Sequence, residues 1–171
     1  MRKLQILKTL IDLFWFFSII AVVGMLFFIP FMFLSKEVVD IPIKINGVLI
    51  KVDSIETKLI LTVVVISFLI FAYGIYLFRK VLSLFQKRII FDNVIILLLN
   101  NIGKCFLIAS ILSSTALFLY PFIYKNKVVS IEFGSGFSSF LFTSSLGLFF
   151  MVLSEVFTIS KNIKEENELT I

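Results

Sequence analysis

The sequence predicts an all-α membrane protein, a four-transmembrane-helix bundle with a small extracytoplasmic β-hairpin or three-stranded cap. Three observations predict it. Hydrophobic residues are 60% of the 171-residue chain and charged residues 16%, against roughly 45–50% and about 25% in soluble domains. No soluble core of this size hides that much apolar surface. The apolar residues, 22 Phe among them, gather in four long runs. Between the first two runs lies an alternating stretch around Asn46-Gly47, a dipeptide favoured in two-residue hairpin turns.

A helix needs about 20 apolar residues to cross the hydrocarbon. Residues 13–34, 59–77 and 105–124 carry no charge, and 137–159 carries one, Glu155. Pro30 and Pro121 fall in the last turns of their runs, where a lost backbone hydrogen bond costs little. The first run exceeds the roughly 7–15 residues of a signal-peptide core and no small-residue cleavage site follows, so it reads as an uncleaved anchor. Ahead of it, Leu4, Ile6, Leu7, Leu10 and Ile11 share a face opposite Lys3 and Lys8, which predicts a short helix lying in the membrane interface.

Basic residues orient the runs. Arg2, Lys3, Lys8, Arg79, Lys80, Lys87, Arg88, Lys104, Lys161 and Lys164 fall on one side; Lys36, Lys44, Lys51, Lys58, Lys125 and Lys127 fall on the other. The richer side is cytoplasmic by the positive-inside rule, which places both termini there. The net charge of +5 is thereby explained by topology, without nucleic acid as a partner.

The outer hairpin spans 40–53. A turn at Asn46-Gly47 sets Ile45 opposite Val48, Ile43 opposite Ile50 and Ile41 opposite Val52, with Lys44 and Lys51 on the other face. A lone hairpin needs cover, and Val129, Ile131 and Phe133 alternate suitably for a third strand. The inner loop spans 79–104. Asp92 is placed to cap a helix over 93–99. Continued to Tyr124, that helix has about 32 residues and is about 48 Å long, more than the bilayer needs. Residues 93–101 are therefore interfacial or protruding, interrupted at Asn100-Asn101-Ile102-Gly103, or re-entrant, and the first reading is preferred. A cytoplasmic tail occupies 160–171. The whole chain is one integral membrane domain.

Helices associate in lipid through small residues and polar groups. Ser139, Thr143 and Gly147 recur at steps of four, continued by Met151 and Glu155; Ala109, Ser113 and Ala116 recur similarly. These two faces are expected to pack, with Glu155 aimed into the bundle and Arg79, Lys80 or Lys104 as its partner. An intramembrane carboxylate is a candidate polar site; an ion pair is the plainer reading and ion transfer the sharper one. Catalytic chemistry finds no footing. His is absent and Cys105 is the single cysteine, which removes imidazole ligands, Cys-cluster metals and an internal disulfide. No phosphate loop and no nucleophile–base set occurs. Neither a cofactor nor a metal is expected.

Phe91, Leu99, Ile102 and Gly103 ahead of the third run resemble the inner-loop pattern of the bacterial domain-of-unknown-function family 2975. Glu155-Val156-Phe157, followed by Lys164-Glu165-Glu166-Asn167-Glu168-Leu169-Thr170-Ile171, is similar to that family's closing motif. Motifs cover about the last 90 residues, and the first 80 are similar in topology. The sequence departs from the family at Ile95, where an Asn is common, although Asn93 lies nearby, and in the apolar stretch 94–99, where the family carries basic residues. The resemblance implies a four-span protein of the bacterial inner membrane with no established activity. Its members often occur beside a small helix-turn-helix repressor.

Two candidate interaction motifs follow: the inner loop with Phe91, Asp92, Asn93, Leu99, Ile102 and Gly103, and the tail with Glu165, Glu166, Glu168, Leu169, Thr170 and Ile171. The leading expectation is a non-enzymatic membrane protein that engages a cytoplasmic partner such as a small DNA-binding regulator. The alternative is an oligomeric transporter or channel component using Glu155, with other copies of the chain as partners; a membrane enzyme ranks third.

Overall fold

A computed structural model of the chain describes residues 2–34, 39–45, 48–52, 54–90, 92–125 and 135–169. The elements are α1 Arg2–Leu34, β1 Val39–Ile45, β2 Val48–Val52, α2 Ile55–Gln86, α3 Asn93–Lys125 and α4 Ser135–Glu168. Each of the four helices holds a stretch long and apolar enough to cross a membrane, as a multi-pass membrane protein requires. At 1.5 Å per residue they are about 50 Å long against about 30 Å of hydrocarbon, so their ends reach polar surroundings.

Sequence neighbours pack as spatial neighbours: α2 against α3 and α3 against α4 most extensively, and α1 against α2. Successive helices run antiparallel. Lys8 meets Gln86 and Trp15 meets Tyr76, while Ser154 meets Ile96 and Ser144 meets Ser110. Aromatic contacts draw α2 to α4, with Phe78–Phe150 centroids 5.0 Å apart and Phe85–Phe157 5.9 Å apart.

The core lies in the half of the bundle where α2 ends and α3 begins. Val81, Ile95, Leu99 and Ile102 are fully buried there, beside Ile75, Leu77, Leu98, Phe106 and Phe150. Of residues 94–99, Ile95, Leu98 and Leu99 belong to this core, while Val94 and Leu97 are exposed. The reason is that α2 does not stop at its charges. It continues past Arg79-Lys80 to Gln86 and offers Val81, Leu84 and Phe85 as apolar partners. Asn100-Asn101-Ile102-Gly103 does not interrupt α3, because Ile102 and Gly103 are buried at its contacts.

The sharpest contact joins α3 to α4 at two glycines. A Cβ on Gly103 would lie 2.6 Å from the Gly147 carbonyl oxygen and 2.5 Å from Met151 Cγ; one on Gly147 would lie 2.9 Å from the Gly103 carbonyl oxygen. Main chain meets main chain, the use that small residues serve between membrane helices. Ile96, Gly103 and Ser110 on α3 lie seven residues apart, as do Gly147 and Ser154 on α4, matching the near-heptad seam of antiparallel helices.

That spacing corrects the stripe expected on α4. Steps of four advance 400°, or about 40° off the seam each time, whereas a step of seven falls about 20° short of two turns. Glu155 has consequently rotated out and is exposed, and Ser154 takes the buried place. Ser139 and Thr143, with Ala109 and Ser113, line a cleft instead of a tight interface.

Residues 2–11 do not form a separate interfacial helix. They are the first turns of α1, whose half-buried or buried Leu4, Ile11, Ser18, Met25 and Met32 recur every seven residues, while Ile6, Leu7 and Leu10 are exposed. The strands pair antiparallel, but in a shifted register: Ile45 opposes Val48 as expected, and Ile41 opposes Ile50 rather than Val52. The irregularity between Ile41 and Lys44 contains Pro42, which has no N–H to give the ladder. A cap over the bundle is not supported, because the ribbon hardly touches the helices and its main helix contact is with the start of α2, which follows it. The Asn46-Gly47 turn and the proposed third strand at Val129, Ile131 and Phe133 lie outside the described residues, as do Phe91, Thr170 and Ile171.

Candidate functional site: the polar end of the bundle

The starts of α1 and α3 and the ends of α2 and α4 meet at one end of the bundle. The turn between α2 and α3 is built by two local devices. Arg88 adopts φ 60, its N–H donates to the Phe85 carbonyl and the Ile89 N–H donates to the Leu84 carbonyl. Those are the paired bonds of a Schellman ending, where glycine is the usual occupant of the left-handed position. Asp92 then caps α3: Oδ1 accepts from Val94 N at 2.9 Å, and its carbonyl accepts from Ile95 N at 3.0 Å.

Polar side chains tie the four helix ends in pairs. Between α1 and α2, Asp12 Oδ1 accepts from Arg79 Nε at 2.5 Å, and the Arg79 guanidinium lies over the Trp15 ring, 4.5 Å from its centroid. Lys8 Nζ donates to Gln86 Oε1 at 2.9 Å. Between α3 and α4, Lys161 Nζ donates to Asn93 Oδ1 at 2.7 Å, and Ser154 Oγ donates to the Ile96 carbonyl at 2.8 Å. Both side chains of the Asp12–Arg79 pair are about a third exposed, so solvent limits what the pair contributes.

The two outer helices overrun the inner ones. Lys8 is level with Gln86 near the end of α2, and Lys161 is level with Asn93 at the start of α3. Residues 2–7 of α1 and 162–169 beyond Lys161 therefore run about 10 Å past the last residue of α2 and the first of α3. Residues 162–169 are exposed throughout, and so are Lys87, Arg88, Ile89 and Ile90 of the turn. Lys161–Glu165 and Lys164–Glu168 ion pairs, at 3.3 and 3.6 Å and one turn apart, brace the projecting helix.

The residues singled out in the sequence divide accordingly. Arg79 pairs with Asp12, not with Glu155. Glu155, Lys80 and Lys104 are each exposed and no ion pair joins them among the described residues, so the expected intramembrane ion-pair site does not form there. Asp92 and Asn93 act at the start of α3 as cap and as Lys161's partner. Leu99, Ile102 and Gly103 are interior packing residues. Glu165, Glu166, Glu168 and Leu169 lie exposed at or just past the end of α4. Asp12, Trp15, Lys8, Gln86 and Ser154 were missed as a group. One signal was present: Asp12 and Arg79 stand one and two residues from the ends of adjacent apolar runs, where antiparallel helices bring them level. Among the described residues, no group of His, Cys, Asp and Glu is arranged to hold a metal.

Four long apolar helices with polar ends define the class: a four-span helical membrane protein. Within that class the chain belongs to DUF2975, a family described as protein of unknown function, whose profile matches residues 6–171. The match takes in the first half of the chain as well as the second. Neither a curated protein nor a solved structure matches it.

Proposed function

We propose that the protein is a non-enzymatic membrane anchor whose polar end docks a water-soluble protein. The observation that carries this reading is the projection of α4 beyond Lys161, an exposed helix bearing Glu165, Glu166 and Glu168 beside the exposed basic turn at Lys87-Arg88. A bipolar surface of this kind favours a partner of complementary charge. The partner class we assign is a small helix-turn-helix regulator, in keeping with the family resemblance. In this reading the polar end is cytoplasmic, the membrane is the bacterial inner membrane, and DNA is contacted by the partner alone.

The test is recovery of an adjacently encoded regulator with membranes, comparing the full chain with one truncated after Ser160. Truncation should release the regulator to the soluble fraction. Unchanged recovery overturns the role of the tail. Transport through an assembly of several copies is the competing reading, since the outward-facing Glu155 is accessible to a neighbouring copy. Flux in liposomes abolished by Glu155→Gln would favour it.

A further inference from the structure

In the half of the bundle away from the α2–α3 turn, all four helices wall a cleft of about 320 Å³. Met25 comes from α1, Phe68 from α2, Ser114 from α3, and Ser139, Phe140 and Thr143 from α4. Among the described residues, no ionisable side chain lines it. Its depth follows from the sequence: Ser67 and Ser114 on its walls stand near the middles of the uncharged runs 59–77 and 105–124.

The hydroxyls of the cleft fall into two sets. Ser67, Ser110 and Ser113 donate to carbonyls of their own helices, the usual arrangement for a helical hydroxyl without water. Thr9, Ser18, Thr62, Thr115, Thr158 and Ser160 do the same elsewhere. Ser114, Ser139 and Thr143 have no hydrogen-bond partner among the described residues. Half-buried Ser114 and Thr143, and exposed Ser139 near the start of its apolar run, thus offer O–H donors to one cleft.

We propose that this cleft binds the head ring of an uncharged, carbonyl-bearing lipid of the quinone class. Unspent donors call for acceptors on the ligand. An uncharged lining among the described residues, at that depth, disfavours an ionic headgroup. Phe68 and Phe140 supply aromatic walls for a flat ring. The volume equals that of about ten waters, enough for one substituted ring and too little for a two-chain lipid, whose place the ring's own tail would take by leaving into the bilayer. This assignment is independent of the docking role at the opposite end of the bundle.

The experiment titrates a decyl-tailed benzoquinone against the full chain in nanodiscs of zwitterionic lipid and measures retained quinone after subtracting empty discs. Saturable binding of one quinone per chain is expected. The double variant Ser114→Ala, Thr143→Val should weaken it at least tenfold, while Ser145→Ala, exposed outside the cleft, should leave it unchanged. Thermal unfolding without quinone checks that the variants are folded. Should the double variant not fold, Met25→Trp, which fills the cleft from α1, replaces it with the same expected loss. The proposal is overturned by absence of saturable binding, by wild-type affinity in the cleft variant, or by equal competition from decylbenzene, which has the tail without the carbonyls.

Discussion

α1 and α3 have the same length, 33 residues, and opposite fates. The most apolar stretch of α1 is 11% buried in the protein and that of α3 is 44% buried, although α1 is the more hydrophobic of the two. In water that order would be perverse. In a bilayer it is expected, because lipid tails solvate Leu and Phe as well as another helix does. Burial here follows closeness of approach, not hydrophobicity. α3 has Gly103, Ala109 and Ser110 at its contacts, whereas α1 presents Phe14, Phe16, Phe17, Phe27 and Phe31 outward.

Glycine substitutions give the largest expected effect and the cleanest break. Gly103→Leu should destabilise the protein by about 3 kcal/mol or more, the upper end for overpacking, because the new Cβ meets the main chain of α4. Gly24→Ala in α1 meets nothing within 4 Å and should gain up to about 1 kcal/mol from helix propensity. Reversible unfolding in mixed micelles measures both. If the two variants behaved alike, the contrast between the helices would fail.

Truncating large side chains comes next. Ile102→Ala should cost about 2 kcal/mol or more, chiefly through the cavity it leaves, while Phe27→Ala on α1, a residue 75% exposed, should stay within about 0.5 kcal/mol. The same unfolding assay reports the difference. Ser154→Ala removes the bond to the Ile96 carbonyl and should cost about 0.6 kcal/mol, a typical value for such bonds between membrane helices; hydrogen exchange at the first turns of α3 should rise with it. Smallest is Asp12→Asn, at about 0.5 kcal/mol or less for a pair this exposed, with the loss shrinking as salt is added.

Composition and run lengths made the four helices legible, because crossing a bilayer imposes a minimum apolar length. Their ends were harder to read. Arg79-Lys80 looked like a terminus, yet Arg79 reaches Asp12 and Trp15 and α2 continues for several residues. That continuation gives residues 94–99 something to pack on, and no pattern within 94–99 could announce it. Asp92 was legible as a cap because capping is local. Glu155 was misplaced because steps of four drift around a helix, and the same arithmetic at steps of seven points to Ser154. The Pro42 irregularity shifted the ribbon's pairing after the turn-proximal pair had been placed correctly.

The stacking of Arg79 on Trp15 has an optical consequence. Trp15 is the single tryptophan of the chain, so all of its indole emission originates at a contact between α1 and α2. Tyr76 lies 6.1 Å away, centroid to centroid, close enough to pass its excitation to the indole. The unlabelled protein therefore carries its own gauge of whether the least buried helix is seated: loss of that energy transfer marks the departure of α1, because the other three helices hold tyrosines between them but no indole.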